Sequence, residues 1–129
     1  MGETFYRRMF FVGAAWNVVG GAIIVVLTGW IFGRQGLTPP QPPLYYYAWI
    51  ALFVTFGIGY YMVWKDMYAN QNIVILGIIG KLAFAAVFIW NFLADREKVP
   101  ALFLIPVVGD LVFVVLYGMF LKFARRRKA

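Results

Sequence analysis

Two ionisable residues, Lys81 and Asp110, each lie near the middle of a long apolar stretch of this sequence. The polar turn at residues 94–99 separates the two stretches, and Lys81 lies nearly as many positions before this turn as Asp110 lies after it. In an antiparallel pair of helices, residues at equal distances from the turn lie at equal depth, because the rise per residue is constant. The spacing therefore predicts that a lysine and an aspartate meet in apolar surroundings.

An ammonium group and a carboxylate in such a place have three interpretations. One charge at the centre of a membrane helix costs roughly 2.5–3.5 kcal/mol on insertion scales, so each group is expected to pair, to lose its charge, or to face water. The pair could bind a polar substrate or relay protons. It could instead specify which helix faces which, or one member could pair with another protein chain. The sequence leaves all three open.

Four apolar segments must carry these residues. The chain is 64% hydrophobic with a mean hydropathy of +0.79, and 13% of its 129 residues are charged. Apolar runs at residues 9–33, 45–64, 72–92 and 100–121 are each long enough to cross a hydrocarbon core of about 30 Å. A soluble fold would need four core helices with almost no polar face, which so short a chain does not support. We therefore predict one all-α domain, an integral membrane bundle of four transmembrane helices.

Basic residues outside the apolar segments predict the orientation of the chain. Eight belong to the N-terminus, the second turn and the C-terminus, against three in the first and third turns. The eight are Arg7, Arg8, Lys65, Lys122, Arg125, Arg126, Arg127 and Lys128, and the three are Arg34, Arg96 and Lys98. The positive-inside rule then places both termini in the cytoplasm. The net charge of +7 is explained by this topology and by anionic lipids at the cytoplasmic face, and not by nucleic-acid binding.

Small residues predict where the helices approach each other closely. Gly13, Asn17 and Gly21 share one face of the first helix, on which Asn17 can hydrogen-bond to a neighbouring helix or face a ligand. The candidate packing positions are Gly13, Gly21, Gly57, Gly77, Gly80 and Gly109. Together with Lys81 and Asp110, Asn17 is predicted to form a polar centre within the membrane.

A weak internal similarity indicates a possible repeat of two helical hairpins. The aligned pairs are Gly13 with Gly77, Asn17 with Lys81, and Gly57 with Gly109. Both hairpins start on the same side of the membrane, so the repeat axis would run along the membrane normal.

Aromatic residues lie at the C-terminal end of the second apolar segment, which is typical of a helix end at a membrane interface. They are Tyr60, Tyr61, Trp64 and Tyr68. The proline-rich segment at residues 33–44 is predicted to be the loop that joins the first two helices.

The sequence contains no cysteine and no histidine. Disulfides, histidine-ligated haem and thiolate catalysis are therefore excluded within this chain, and we predict neither a metal site nor a cofactor. No nucleophile with its base is recognisable, so the protein is not expected to be an enzyme.

Short motifs in three of the four helices resemble those of a known family. They are Trp16-Asn17, Asn72, Gly77, Gly80-Lys81 and Gly109-Asp110, with the proline-rich first loop between the first two helices. In these features the chain resembles small DoxX-like proteins of the bacterial inner membrane. The resemblance implies a compact four-helix bundle, in some cases associated with membrane redox complexes, and it implies no catalytic residues.

We therefore expect a non-catalytic integral protein of the bacterial inner membrane. It would be an accessory or assembly subunit of a membrane complex, or a homo-oligomer, with its bundle specified by the Lys81–Asp110 pair. The alternative is a small transporter or channel in which Lys81 and Asp110 line a polar pathway. The expected partners are the lipid bilayer with its anionic lipids, and either another membrane protein or a second copy of the chain.

Overall fold

The computed structural model describes residues 1–128, and this part of the chain forms four long helices and no β-strand. The helices are α1 (Glu3–Gly33), α2 (Leu44–Lys65), α3 (Gln71–Ala94) and α4 (Leu104–Lys128). Two 3-10 turns, Arg96–Lys98 and Ala101–Phe103, connect α3 to α4. The predicted all-α fold of four helices is confirmed.

Each helix is long and apolar enough to cross a membrane. The outward faces are apolar as well, since Val26 is 80% exposed, Trp90 76% and Ile105 62%. A soluble protein does not cover its surface with such side chains, whereas hydrocarbon is their proper environment. The chain therefore has the architecture of a multi-pass membrane protein.

Proline and glycine determine where the helices begin and end. Gly36 has a φ of 68°, in the left-handed region that glycine adopts without strain, and it follows the end of α1. Pro43 directly precedes α2, where the missing N–H of a proline costs no helical hydrogen bond. Pro106 lies in the first turn of α4 for the same reason.

The four helices pack as two hairpins. α1 packs most extensively against α2, and α3 against α4, while α2 and α3 share fewer contacts. The backbones of the first hairpin come close at Gly57, where an added Cβ would lie 2.8 Å from Asn17 Cβ and 3.1 Å from the carbonyl oxygen of Ala14. At Gly21 an added Cβ would lie 2.6 Å from a methyl group of Val54. Small residues thus close the first hairpin, as the sequence predicts.

Two apolar clusters fill the bundle, one on each side of its middle. The termini-side cluster is centred on Tyr6, Phe10, Tyr60, Val63, Met67, Val74, Tyr117 and Phe120. The loop-side cluster contains Ile24, Ile31, Phe32, Tyr46, Ile50, Ala85, Phe88, Phe103 and Val107. On every helix the members of these clusters leave a gap in sequence between them, and the polar centre lies in that gap.

Polar contacts also join the two hairpins at both ends of the bundle. At the loop end, Gln35 donates a hydrogen bond to the carbonyl oxygen of Val99 (3.1 Å) and accepts one from the backbone N–H of Ala101 (2.6 Å). At the other end, Arg127 binds Glu3 and donates to the hydroxyl of Tyr68 at 2.7 Å. The hydrogen bonds from Arg127 and Tyr68 hold the pKa of Glu3 below its ordinary value.

Candidate functional site

The Lys81–Asp110 pair forms the centre of the bundle. Lys81 Nζ on α3 lies 2.6 Å from Asp110 Oδ1 on α4, and the two side chains are only 4% and 2% exposed. The 3.6-residue period of α3 and α4 turns both residues inward, and the short connection between the helices keeps them level. The structure therefore brings these two sequence-predicted residues together.

Asn17 connects this pair to the first hairpin. Its side-chain nitrogen donates a hydrogen bond to the carbonyl oxygen of Phe53 on α2 (2.9 Å), and its side-chain oxygen accepts one from Lys81 Nζ (3.3 Å). Both polar atoms of the amide are thus satisfied, as a polar group with 2% exposure requires. All three predicted members of the polar centre are in contact through one chain of hydrogen bonds.

Two aromatic rings complete the environment of the Lys81 ammonium group. Nζ lies 5.2 Å from the ring centroid of Tyr60 and 5.3 Å from that of Phe113. An ammonium group near an aromatic ring is stabilised by the electrons of the ring, and the effect grows when water is excluded. Lys81 therefore has a carboxylate, an amide oxygen and two rings around it.

Tyr60 is a residue whose place sequence reasoning missed. The aromatic run at the end of α2 predicts an interfacial position for it, but Tyr60 is only 1% exposed and lies beside Lys81. One signal in the sequence could have found it, since Tyr60 follows Gly57 by three residues and Phe53 by seven, and so shares their inward face. Of the other three members of the run, Tyr61 is exposed, while Trp64 and Tyr68 are partly buried.

The remaining candidate packing glycines accept aromatic side chains from the opposite hairpin. At Gly13 an added Cβ would lie 2.5 Å from the hydroxyl of Tyr117, and at Gly77 it would lie 2.7 Å from the ring of Tyr60. At Gly80 it would lie 3.3 Å from the ring of Phe56, and at Gly109 it would overlap the ring of Trp16. These four glycines therefore serve side-chain packing between hairpins. Gly21 and Gly57 alone, of the six, lie at contacts within one hairpin.

Two polar atoms beside this centre have no hydrogen-bond partner within residues 1–128. They are the indole nitrogen of Trp16 and the hydroxyl of Tyr117, both shielded from solvent. Trp16 packs on Gly109, next to Asp110, and Tyr117 stacks on Phe10 and against Tyr60. Buried donors without a partner are uncommon, and an ordered water is the usual explanation.

A cavity of about 190 Å³ reaches the polar centre from between α2 and α3. Lys81 and Asp110 line its inner end, and Trp49, Phe56 and Phe84 line its walls. Trp49 and Phe84 stack with their centroids 5.4 Å apart, and both also line a larger cavity of about 630 Å³ nearer the loops. The polar centre can thus be reached through this cavity from between α2 and α3.

The arrangement offers a fixed ammonium group and a fixed carboxylate in an apolar shell. Such a pair can hold helices in register, or it can give a hydrogen bond to a ligand that enters between α2 and α3. Within residues 1–128 no three histidine, cysteine, aspartate or glutamate side chains come together as metal ligands.

Comparison with known proteins gives no relative: no protein-family model, no curated protein and no solved structure matches this chain.

Proposed function

We propose that this protein is a non-catalytic multi-pass protein of the bacterial inner membrane, and that it serves as an accessory or assembly subunit of a membrane complex or assembles with copies of itself. The distribution of basic residues, eight against three, supports a cytoplasmic position for both termini. The resemblance to DoxX-like proteins belongs to the same proposal.

One observation carries this proposal: the polar groups of the centre bind one another. Lys81 contacts Asp110 and Asn17, and Asn17 also contacts Phe53, so three side chains join all four helices. The charges of a transport pathway must be free to exchange partners with the solute. Charges held at 4% and 2% exposure by their own neighbours favour a role in specifying the bundle.

The proposed repeat of two hairpins has partial support from the packing glycines. Gly13 on α1 faces Tyr117 on α4, and Gly77 on α3 faces Tyr60 on α2, so equivalent helices exchange the same kind of contact, although the alignment of Gly57 with Gly109 pairs Tyr60 with Val112 and not with Tyr117. The pair Gly57 and Gly109 does not follow this pattern, because Gly57 contacts its own hairpin and Gly109 contacts the other.

Purification from native membranes in a mild detergent tests the subunit role. The protein should elute with a stoichiometric partner or as an oligomer of fixed size, and a lone monomer would contradict the proposal. The double variant Lys81→Met with Asp110→Asn should keep the same assembly, since the pair acts within the bundle. Loss of the assembly in that variant alone would instead mean that one of the two residues pairs with another chain.

A second function, a small transporter or channel, is favoured by the cavity between α2 and α3 that reaches Lys81 and Asp110. In proteoliposomes the wild type should then move an ion or a small solute, and Lys81→Met or Asp110→Asn should stop the flux. Lys128→Met is the matched control, because Lys128 is exposed at the end of α4 and lines neither cavity. No flux for a panel of ions and cationic solutes would exclude this function.

A further inference from the structure

The outer face of the first hairpin carries a groove that is separate from the polar centre. A shallow groove of about 260 Å³ runs between α1 and α2 on the side that faces away from α3 and α4. Phe11, Ala15 and Val19 line it on α1, and Gly57 and Tyr61 line it on α2. The groove exists because the small side chain of Ala15 leaves space that a larger one would fill.

The groove has the length of one lipid leaflet. Its α1 lining runs from Phe11 to Val19, which at 1.5 Å per residue is roughly 12 Å along the helix. Half of a hydrocarbon core is about 15 Å thick. One acyl chain that starts at the membrane surface would therefore follow the groove over most of its leaflet.

Two basic residues stand at the end of the groove nearest the chain termini. Arg7 lies one helical turn before Phe11, and its guanidinium group contacts the carbonyl oxygen of Trp64 at 3.4 Å. Lys65 lies one turn after Tyr61, with its ammonium group 5.6 Å from the ring of Tyr61 and 5.4 Å from that of Trp64. Cations from two helices thus converge on one tryptophan at the level of the lipid headgroups.

Two carboxylates lie near these cations, and neither neutralises both of them. Asp66 Oδ1 accepts hydrogen bonds from the backbone N–H groups of Tyr68 (3.2 Å) and Ala69 (3.0 Å) and so closes the turn between α2 and α3. Glu3 is shared between two arginines, because its Oε2 contacts Arg127 while its Oε1 meets Arg7 at 3.5 Å. Positive charge therefore remains available above the groove.

We propose that this face binds one anionic phospholipid, with its phosphate between Arg7 and Lys65 and one acyl chain in the groove between α1 and α2. An anionic headgroup fits better than a zwitterionic one, because the cation of a zwitterionic headgroup would meet two more cations. The proposal requires only that the helices lie in a bilayer, so it stands or falls separately from the subunit role.

Lipid titration followed by native mass spectrometry of the detergent-solubilised protein tests the site. The wild type should bind one phosphatidylglycerol about tenfold more tightly than phosphatidylcholine. The variant Arg7→Gln with Lys65→Gln should lose about 30-fold in affinity for phosphatidylglycerol, since each basic residue contributes about 1 kcal/mol at a lipid surface. All these side chains are exposed, so the variants should keep the elution volume and helix content of the wild type.

Two further variants separate this site from general attraction. Arg125→Gln with Arg126→Gln removes the same charge from the end of α4 and should change the affinity by less than about threefold. Ala15→Phe keeps both cations and fills the groove, and it should lower the affinity by about tenfold. Equal losses in the two double variants, or an unchanged affinity in Ala15→Phe, would overturn the proposal. Binding of glycerol 3-phosphate as tightly as the lipid would also overturn it.

Discussion

The two hairpins are closed by different chemistry. In α1–α2 the backbones come close at Gly21 and Gly57. The buried polar contacts between these helices are neutral: the Asn17 amide donates to the carbonyl oxygen of Phe53, and the hydroxyls of Thr28 and Tyr46 lie 3.1 Å apart. In α3–α4 a long lysine side chain reaches a carboxylate at 2.6 Å. Gly77, Gly80 and Gly109 of the second hairpin do not close it, because they contact aromatic rings of the first.

The difference determines what each hairpin tolerates. A neutral contact between close backbones depends on volume, so an added methyl group is sufficient to disturb it. A buried ion pair depends on charge balance, so the loss of one partner is severe while the loss of both is mild. The first hairpin should therefore be sensitive to size and the second to charge.

The largest effect is expected from Lys81→Met. The substitution preserves most of the apolar stem but leaves the Asp110 carboxylate buried without its cation. It should lower the free energy of unfolding by about 3–5 kcal/mol, as measured by denaturant or thermal unfolding in detergent micelles.

The control for this prediction is the double variant Lys81→Met with Asp110→Asn. It removes both charges at once and should recover most of the lost stability. If the double variant is as unstable as Lys81→Met, charge balance does not govern the second hairpin.

A smaller loss is expected from Gly57→Ala in the first hairpin. The new methyl group would lie 2.8 Å from both Asn17 Cβ and a methyl group of Val18, so the helices must separate. Unfolding measurements should show a loss of about 1–3 kcal/mol. Gly29→Ala is the matched control, since an added Cβ there meets nothing within 4 Å, and it should be neutral or slightly stabilising. Equal behaviour of the two variants would contradict a close backbone contact at Gly57.

The amide of Asn17 should contribute less to the free energy of unfolding than the charge of Lys81 or the small size of Gly57. Asn17→Leu keeps the branched arrangement of four side-chain heavy atoms and removes the contacts with Phe53 and Lys81, so a loss of about 1 kcal/mol is expected in the same assay. Asn91→Leu serves as the comparison, because Asn91 is exposed and its amide bonds only to Val87 in its own helix, at 2.8 Å. A loss as large as that of Lys81→Met would mean that the two hairpins are not closed independently.

The smallest effect concerns a contact between the hairpins, Glu3 with Arg127 and Tyr68. Because the pKa of Glu3 is lowered in the folded protein, its contribution is full above the ordinary value of 4.5 and is lost as the pH falls through the lowered value. The melting temperature of the wild type should fall slightly more than that of Glu3→Gln over this acid range. Parallel curves for the two proteins would show that the contact adds no stability.

Much of the fold could be predicted because the membrane limits the alternatives. Chains that cross a bilayer must satisfy their backbone internally, so four apolar runs become four helices. The contact of Lys81 with Asp110 follows because the two residues lie at similar distances along the chain from the turn at residues 94–99, and this places them at similar depth. These inferences need no knowledge of how the two hairpins meet.

Of the contacts between the hairpins, the sequence predicts only that Asn17 joins the polar centre, and it does not predict which atoms meet. Asn17 and Lys81 are 64 residues apart, and no local spacing relates their rotations about α1 and α3. The same holds for Tyr60 and Tyr117, which fill the spaces left by Gly77 and Gly13. Side-chain packing between distant segments decides these contacts, and only the folded bundle contains that information.

The order of the two charges along the chain has a consequence for how the protein enters the membrane. When the ribosome has completed α3, the partner of Lys81 has not yet been made, because Asp110 follows 29 residues later. An unpaired charge at mid-membrane disfavours release into lipid, whereas α1 and α2 carry no such charge at that depth. We therefore expect the first two helices to leave the protein-conducting channel as they emerge, and the last two to leave it together.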